Sequence, residues 1–474
     1  MVPLPTDASL DPLALQAWRD TPVKVRLKVI ARFREWLGQE AGTAARVALP
    51  AWRDDSEAAR VEMLTAQVIP LADSCLFLCK KAAGILSERR NTGFLNPVWL
   101  RGVRSWVRRE PLGGILIIGP GNYPLFLPGV QALQALVAGN GVFWKPAPGT
   151  TRAGEWFREL LQRAGLPAGL FRVLPEDPEV VAAVVEAGWV QKVICTGSGA
   201  TGRAVMGLLA RHAIPSVMEL SGDDAVYVRA DADLEMAARA VVWAVALNHG
   251  QTCIVPRRLF VAESVVAEFL QSLAENLQRK GLLLKNEEIS TNVNASKVYL
   301  ICGESSGVRS GGLVGGGEVG VVRGVFTQKL ELSSVASDED FLAKNAPNPA
   351  GLGVSIFTRD EFRARFLAER LPVGVVTVND LIVPTADGRL PFPARRESGF
   401  GATRGVEGLL EMTVPKVVAV RRGASRPHLD PPAPGDDCFF EAYLAASCAR
   451  GVSARWQAWC RFLRLARLRK TSDY

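Results

Sequence analysis

The chain has 474 residues, 48% of them hydrophobic and 22% charged, with a mean hydropathy of +0.12. These values predict a globular protein of two or three domains with a sizeable core. The net charge of +8 is partly concentrated in residues 461–470, which hold no acidic residue. We therefore interpret the charge elsewhere as an ordinary solvated surface and expect no nucleic-acid partner.

Cysteine and histidine usage bounds the chemistry further. The eight cysteines form no CxxC pair, and the chain has three histidines. We expect no metal site and no disulfide framework, but reduced thiols in the cytoplasm. The first residues show neither a basic segment nor a continuous apolar run, and no stretch reaches the ~20 uninterrupted apolar residues of a membrane span.

The first elements in chain order are helices. Apolar residues at helical spacing predict helices across residues 12–88, and alternation around Gly102 predicts an exposed hairpin or arm near 98–110. After Pro111, short apolar runs alternate with helical segments. This pattern predicts a parallel sheet covered on both faces, as in a doubly wound α/β domain.

Several residues of this domain follow predicted strands. Because ligands bind at the carboxyl ends of parallel strands, Asn122, Lys145 and the Gly197-Ser198 turn are expected near a ligand. The turn belongs to TGSGATGR, in which Gly197 and Gly202 open a helix whose backbone N–H groups can hold a phosphate. The segment lacks the GxGxxG spacing, so an ordinary turn remains the alternative.

The second half repeats the alternation of strands and helices and then changes character. Strands are predicted at 225–228, 258–261, 351–357, 374–379 and 416–420. Residues 281–336 show no clear pattern of elements, and the glycine-rich segment 311–317 is interpreted as a flexible loop with little core. Beyond residue 423, a proline-rich linker precedes one or two helices with strong basic charge.

The segment WAVALNHGQTCIVPRR, residues 243–258, places Cys253 at a turn between a helix end and an apolar strand. A rigidly held thiol with one open face suits a nucleophile, which needs a thiolate fraction and room for a substrate. The alternative is a small buried apolar cysteine. His249 in the same turn is either a base beside the thiol or a solvated loop histidine.

Several segments occur in one order along the chain. They are REPLGGILIIGPGNYPLFL, VAGNGVFWKPAPGT, VICTGSGATGR, MELSG, NHGQTCIVPRR, GLGVSIFTRD, and VNDLIVP followed by LPFPARRESGFGATRG. Together they resemble the aldehyde dehydrogenase superfamily over residues 12–422, and the early NYP motif and short length look most like its class 3, fatty-aldehyde-type branch. The resemblance implies an α/β fold with a Rossmann-like cofactor domain, an α/β catalytic domain and a small oligomerisation arm.

The resemblance also implies NAD(P)-dependent oxidation of an aldehyde to a carboxylic acid, with a role for each matching residue. Cys253 would add to the aldehyde carbonyl, Asn122 would donate its amide to the resulting oxyanion, and Glu219 would activate the water that hydrolyses the thioester. Lys145 would bind a ribose of the cofactor, and Ser198 would meet its pyrophosphate. The residues implied for binding NAD or NADP are Pro120, Lys145, Gly197, Ser198 and Gly202.

The chain departs from the family pattern on the cofactor side. GVFTQKLELSSV stands where the family usually has a Glu-Glu-(Ile/Thr)-Phe-Gly-Pro segment, whose glutamate holds the nicotinamide ribose. MELSGDD replaces the usual ELGGK. Pro148 stands where NAD-preferring members often carry a glutamate, so a 2′-phosphate would meet no carboxylate there. NADP is therefore admitted beside NAD.

The resemblance implies domain boundaries and leaves two other functions open. The domains are residues 1–221 for the N-terminal helices and cofactor domain with its arm, 222–404 for the catalytic domain, 405–423 for a return strand of the arm, and 424–474 for the linker and tail. A homodimer or larger homo-oligomer is expected. The alternatives are a coenzyme A-acylating relative, against which the retained Glu219 argues, and a catalytically impaired scaffold, which the missing cofactor glutamate suggests.

The tail combines aromatic and basic residues. On a helix, Trp456, Trp459 and Leu463 would share one side, with Arg461 and Arg464 away from its centre. This pattern predicts a helix lying on an anionic membrane surface, and fatty-aldehyde-type relatives also carry C-terminal membrane segments. The alternative is a helix packed on the catalytic body or on a partner subunit.

Overall fold

The computed structural model describes residues 9–91, 100, 102–287, 297–304, 319–322, 325–423, 426–429 and 431–471. The chain divides into two compact units, Met1–Arg89 with Trp106–Val417, and Arg90–Ser105 with Val418–Tyr474. The glycine-rich loop predicted at 311–317 lies outside the described residues.

Helices open the first unit, as the sequence predicted. They are α1 (Pro12–Asp20), α2 (Val23–Gln39), α3 (Ala41–Val47), α4 (Glu57–Met63) and α5 (Ile69–Ile85), with a π-helical turn at Leu64–Val68. The 29-residue stretch Glu57–Ile85 is long and apolar enough to cross a membrane by length and composition alone. Core helices of globular proteins meet the same criterion, and Met63, Leu71 and Leu78 in this stretch are fully buried.

The predicted doubly wound sheet follows. The next elements in the chain are β1 (Arg89–Asn91), β2 (Val103–Pro111), β3 (Gly114–Ile118), α6 (Phe126–Ala138), β4 (Gly141–Lys145), α7 (Thr151–Arg163), β5 (Phe171–Val173), α8 (Glu179–Glu186), β6 (Lys192–Thr196), α9 (Gly199–Ala210) and β7 (Ser216–Glu219). Strands β7-β6-β3-β4-β5 lie side by side in that order, all parallel.

Successive residues of these strands enter opposite cores, because side chains alternate across a strand. Ile115 and Ile117 join the core with α2, α5 and α6, whereas Leu116 joins the core with α8 and α9. The register pairs Ile118 with Lys145 and Thr196 with Glu219. The polar residues that end these strands therefore meet at one edge of the sheet.

A second large sheet contains the strand that follows Cys253. Its elements are β8 (Asp224–Val228), α10 (Leu234–Ala246), β9 (Pro256–Ala262), α11 (Val266–Arg279), β10 (Leu283–Glu287), β11 (Lys297–Glu304), β12 (Val319–Val322), β13 (Val325–Val335), α12 (Asp338–Asn345), β14 (Ala350–Gly351), β15 (Gly353–Phe357), α13 (Glu361–Ala368) and β16 (Val375–Val378). The strand order is β10-β11-β13-β9-β8-β15-β16, with β12 paired to β13 and β14 outside this sheet.

Residues 281–336 hold more structure than their sequence indicated. Strands β11 and β13 pair antiparallel over eight positions, from Lys297 opposite Leu332 to Glu304 opposite Val325. Strand β13 also pairs in parallel with β9, which is distant in sequence. The local pattern did not indicate these strands, because partner strands that are distant in sequence specify them.

The chain closes the first unit with short strands and one helix. They are β17 (Phe392–Pro393), β18 (Arg395–Arg396), β19 (Gly399–Phe400), β20 (Ala402–Thr403), α14 (Gly405–Glu411) and β21 (Thr413–Arg421). Helix α14 was not predicted, since Gly405 and Gly408 lower its intrinsic propensity. An added Cβ at Gly408 would lie 2.6 Å from the Thr403 backbone, so close packing on β20 explains this glycine within the helix.

Strands β1, β2 and β21 form a small sheet in the order β1-β2-β21. The tail is a pair of helices, α15 (Asp436–Cys448) and α16 (Val452–Thr471). Phe462 packs on Phe439 of α15 with ring centroids 5.1 Å apart, and Trp459 lies in the same cluster. Trp456 and Leu463 are exposed. The predicted single aromatic side is therefore divided, because Trp459 packs within the helix pair.

Candidate active site

One cavity of about 790 Å³ lies at the carboxyl ends of β3, β4, β6 and β7. The sequence-predicted site residues that line it are Pro120, Asn122, Lys145, Gly197, Ser198, Glu219 and Cys253. Gly202 is buried in α9 and is not among the described residues that line the cavity. An added Cβ at Gly202 would lie 2.5 Å from the Leu220 side chain, so this glycine permits close packing of α9 on the residue that follows β7.

Two loops meet at Cys253, one after β3 and one before β9. The bonds that join them run from Asn122 Nδ2 to the Gln251 carbonyl at 2.7 Å, between the Tyr123 and Thr252 hydroxyls at 2.8 Å, and from Asn248 Nδ2 to the Asn122 carbonyl at 2.9 Å. These contacts fix the Asn122 amide beside the loop that carries the thiol.

The turn before the thiol has an unusual backbone. Asn248 and His249 both lie in the left-handed region, with φ of 48° and 53°. Non-glycine residues adopt it rarely, and surrounding contacts must hold them there. The Asn248 N–H donates to Glu62 Oε1 at 2.7 Å. Burial lowers the pKa of His249 to about 4, and His249 is not among the described residues that line the cavity, so the geometry does not favour it as a base.

Gln67, which the sequence did not single out, anchors the turn that contains Asn122. Its buried side chain lies in the π-helical turn and accepts from the Leu125 and Phe126 N–H groups at 3.0 and 3.2 Å. It also donates to the Ala48 carbonyl at 2.8 Å. The first N–H groups of a helix lack partners inside the helix, and Gln67 supplies one at the start of α6. Its signal in the sequence is a lone glutamine among apolar helical residues.

Cys253 is half-buried, and its backbone carbonyl lies close to Gly222. An added Cβ at Gly222 would lie 2.7 Å from the Cys253 carbonyl, and the Arg257 guanidinium donates to the Gly222 carbonyl at 2.8 Å. Burial, and after it the Asp224 and Glu219 carboxylates, raise the pKa of Cys253 to about 12. The thiol is thus protonated at neutral pH, and its reaction as a nucleophile requires a proton acceptor.

Glu219 ends β7 and is buried at the cavity wall. The Thr403 hydroxyl donates to its Oε1, and the Thr196 hydroxyl donates to its Oε2 at 3.2 Å. Burial raises the pKa of this carboxyl, while Arg404 and the two hydroxyls lower it. A carboxylate whose pKa is raised by burial is suited to accept a proton near neutral pH.

Arg404 lines the cavity, and the sequence did not single it out. Its side chain is buried, donates to the Thr385 carbonyl, and lies with its guanidinium carbon 4.6 Å from the centroid of the Phe392 ring. Glu219 and Cys253 are the first two groups whose charges act on it. Within the described residues no carboxylate forms an ion pair with Arg404 inside 4.0 Å. The cavity therefore holds a buried guanidinium whose charge acts on both Glu219 and Cys253.

The other end of the cavity fits a dinucleotide. Lys145 ends β4, is 7% exposed, and its ammonium makes no hydrogen bond to any described residue. Ser198 caps α9 by accepting from the Thr201 N–H at 3.1 Å, so the start of that helix faces the same cavity. A buried cation and a helix N-terminus suit ribose hydroxyls and phosphate. In the described ranges no group of three His, Cys, Asp or Glu could hold a metal ion.

Solved structures show the same fold. The chain superposes on an NADP-dependent glyceraldehyde-3-phosphate dehydrogenase from Bacillus halodurans C-125, complexed with NADP, with a TM-score of 0.69 at 22% identity, covering 86% of this chain and 89% of that one. PnpE from Pseudomonas sp. WBC-3 in complex with nicotinamide adenine dinucleotide gives a TM-score of 0.72 at 20% identity, covering 88% and 89% of the two chains.

Sequence comparison goes further than the fold. The chain is 29% identical over 430 residues to the 4,4′-diapolycopene aldehyde oxidase of Methylomonas sp, which amounts to 84% of this chain and 78% of that protein. The family model described as the aldehyde dehydrogenase family matches residues 10–295 and 325–418. Since this match spans most of the sequence, the chain belongs to the aldehyde dehydrogenase family.

Proposed function

We propose that the chain oxidises an aldehyde to a carboxylic acid with NAD or NADP, using Cys253, Asn122 and Glu219 as catalytic residues. The observation that carries the proposal is their convergence: a thiol, an amide donor and a buried carboxylate line the cavity that also reaches Lys145. The retained Glu219 disfavours a coenzyme A-acylating reaction, because a carboxylate base serves hydrolysis of the acyl group.

The chain's own residues supply three functions in this reaction. Cys253 Sγ bonds to the aldehyde carbon, its proton passes to a cavity base or solvent, and the carbonyl electron pair moves to oxygen. The second N–H of the Asn122 amide and the Cys253 backbone N–H donate to that oxygen. A donor aimed in this way is typically worth about 3 kcal/mol in the transition state.

The second half of the reaction restores the thiol. Bound NAD or NADP would accept a hydride from the former aldehyde carbon. The acyl group then remains on Cys253 as a thioester. Glu219 then removes a proton from water, and the water oxygen attacks the thioester carbon. The carbon–sulfur bond breaks, and the sulfur takes up the proton from Glu219. The carboxylic acid departs and Cys253 is ready for another aldehyde. Lys145 would bind a cofactor ribose, and the start of α9 at Ser198 would bind its pyrophosphate. Pro120 lines the same cavity.

The substrate we propose is an apolar aliphatic or aromatic aldehyde. Trp52, Trp243, Leu247 and Phe392 line the cavity and offer apolar surface. The early NYP motif and short length support placement in the class 3, fatty-aldehyde-type branch. The two large sheets support a division near residue 221 between a cofactor domain and a catalytic domain.

A panel of aliphatic and aromatic aldehydes, each with NAD and with NADP, tests this function through formation of the reduced cofactor. Cys253→Ala is expected to abolish turnover while leaving dinucleotide binding nearly unchanged, because the thiol acts in the chemistry and not in holding the cofactor. Wild-type protein that binds neither dinucleotide would favour the scaffold alternative instead.

We also propose that the chain acts as a cytoplasmic homo-oligomer. Strand β21 supports an interface, since Val414, Val417 and Val420 on this edge strand are exposed apolar residues. An exposed apolar edge strand is prone to pair with another chain. Light scattering on the eluting protein measures the mass. A lysine at Val417 should shift it toward the monomer, whereas a monomeric wild type would contradict the proposal.

The tail supports peripheral contact with an anionic membrane. Trp456 is 71% exposed and Leu463 is 52% exposed, with Arg461 and Arg464 exposed on the same helix. Exposed apolar and basic side chains on one helix favour binding at a membrane interface. Wild type should sediment with anionic liposomes at low salt, and a chain ending near Gly423 should not. Equal behaviour of the two proteins would return the tail to a structural role.

A further inference from the structure

The first turn of α7 lies beside Lys145, the residue assigned to a cofactor ribose. Strand β4 ends at Lys145, and four residues later the backbone of Gly149 leads into α7. The neighbouring strand β5 pairs Val173 with Trp144, so the residues that follow β5 emerge at the same edge. Ala147 and Pro148 line the cavity between Lys145 and the helix. This edge thus combines a buried cation with the start of a helix.

A carboxylate already occupies that helix start. Glu176 Oε2 accepts from the Gly149 N–H at 2.8 Å, and its Oε1 accepts from the Thr150 and Thr151 N–H groups, both at 3.1 Å. Oε1 also accepts from the Thr151 hydroxyl at 2.6 Å. Free N–H groups at a helix start would favour a phosphate, but here Glu176 satisfies them. Partial burial raises the pKa of Glu176, but these hydrogen bonds outweigh it and hold the pKa below its ordinary value. The carboxylate therefore stays ionised at neutral pH.

The charge of the Glu176 carboxylate also acts on the Lys145 ammonium, which makes no hydrogen bond to a described residue. Among the charges that raise the pKa of Lys145 against the effect of burial, Glu176 is the largest and Asp177 the second. Lys145 is more than nine-tenths buried and lines the cavity. The sequence predicted no carboxylate at this edge, because Pro148 occupies the position where NAD-preferring family members often carry a glutamate. In the structure, the loop after β5 brings the Glu176 carboxylate to this edge.

We propose that Glu176 makes this chain select NAD over NADP, an inference that rests on the proposed binding of the cofactor ribose by Lys145. A ribose 2′-hydroxyl can donate a hydrogen bond to a carboxylate. A 2′-phosphate would bring negative charge to an edge where the helix N–H groups are already taken by an anion. Like charges placed together at a binding site strongly suppress the wrong ligand.

Calorimetric titration of the full chain with NAD and with NADP tests the inference without any catalytic readout. We expect NADP to bind on the order of 100-fold more weakly than NAD to the wild type. Glu176→Gln keeps an oxygen for the helix N–H groups and removes the charge, so the ratio of the two dissociation constants should fall to within about fivefold. Glu176→Ala also frees the N–H groups and should improve NADP binding further.

Asp177→Asn is the matched control, because it removes one carboxylate charge at the next position. The Asp177 carboxylate accepts from the Glu179 N–H at the start of α8 at 2.9 Å, and among the described residues it accepts no hydrogen bond from α7. It should leave the preference for NAD within about threefold of the wild type. Equal affinity of the wild type for the two dinucleotides, or an unchanged preference in Glu176→Gln, would overturn the selection by Glu176. Absence of binding by either dinucleotide would overturn the proposed function itself and this inference with it.

Discussion

Removal of the Arg404 charge should slow the reaction most at neutral pH. Burial raises the pKa of Glu219, and Arg404 is the largest influence that lowers it. Arg404→Met keeps an apolar side chain of similar length beside the Phe392 ring but removes the cation, so the pKa of Glu219 should rise further. Less of the carboxylate is then ionised at neutral pH, and its activity as a base should recover as the pH increases.

The structure bounds the size of this effect. At an effective dielectric constant of about 20, two unit charges 4 Å apart interact by about 4 kcal/mol. Arg404 and Glu219 form no ion pair within 4.0 Å in the described chain, so this figure is a ceiling. At twice that distance the interaction is about 2 kcal/mol. We therefore expect hydrolysis of the thioester at neutral pH to slow roughly 10- to 30-fold.

Stopped-flow measurement of reduced cofactor across neutral to alkaline pH separates the two halves of the reaction. The steady-state rate of Arg404→Met should recover as the pH rises. The rate of its pre-steady-state burst of reduced cofactor should also increase with pH, because Arg404 lowers the pKa of Cys253 as well. Arg404→Lys retains the charge and should stay close to the wild type. A pH profile of Arg404→Met that coincides with the wild type, in protein of unchanged thermal stability, would refute the electrostatic role.

Two further substitutions examine the assigned chemistry. Glu219→Gln should preserve the pre-steady-state burst and slow steady-state turnover by about 10²- to 10⁴-fold, and loss of the burst would place Glu219 before acylation. Asn122→Ala should reduce the burst rate about 100-fold through loss of an oxyanion donor, with dinucleotide affinity unchanged. The Asn122 amide also joins two loops through its hydrogen bond of 2.7 Å to the Gln251 carbonyl, so the melting temperatures of Asn122→Ala and the wild type must be compared. A normal burst rate in the variant would assign this residue to structure alone.

The local sequence was sufficient to predict most of the regular elements. Apolar runs such as 114–118 and 141–144 form buried parallel strands because both of their faces must be covered. Asn122, in the turn after the first of these strands, and Lys145, at the end of the second, could be expected at one edge of the sheet because ligands bind at the carboxyl ends of parallel strands. Helix α14 could not be predicted, since Gly408 permits packing against β20 and lowers the helix propensity.

The tertiary structure alone decided which polar groups act together. Glu219 is distant in sequence from the adjacent pair Thr403 and Arg404. The sequence did not indicate that this buried carboxylate would lie in one cavity with a buried guanidinium. The Gln67 side chain binds the backbone at the start of α6, after the turn of Asn122, and Glu176 binds the start of α7 from the loop after β5. Local patterns record whether a side chain faces core or solvent. Hydrogen bonds and charge interactions depend on distances that exist only after the sheets and helices have packed.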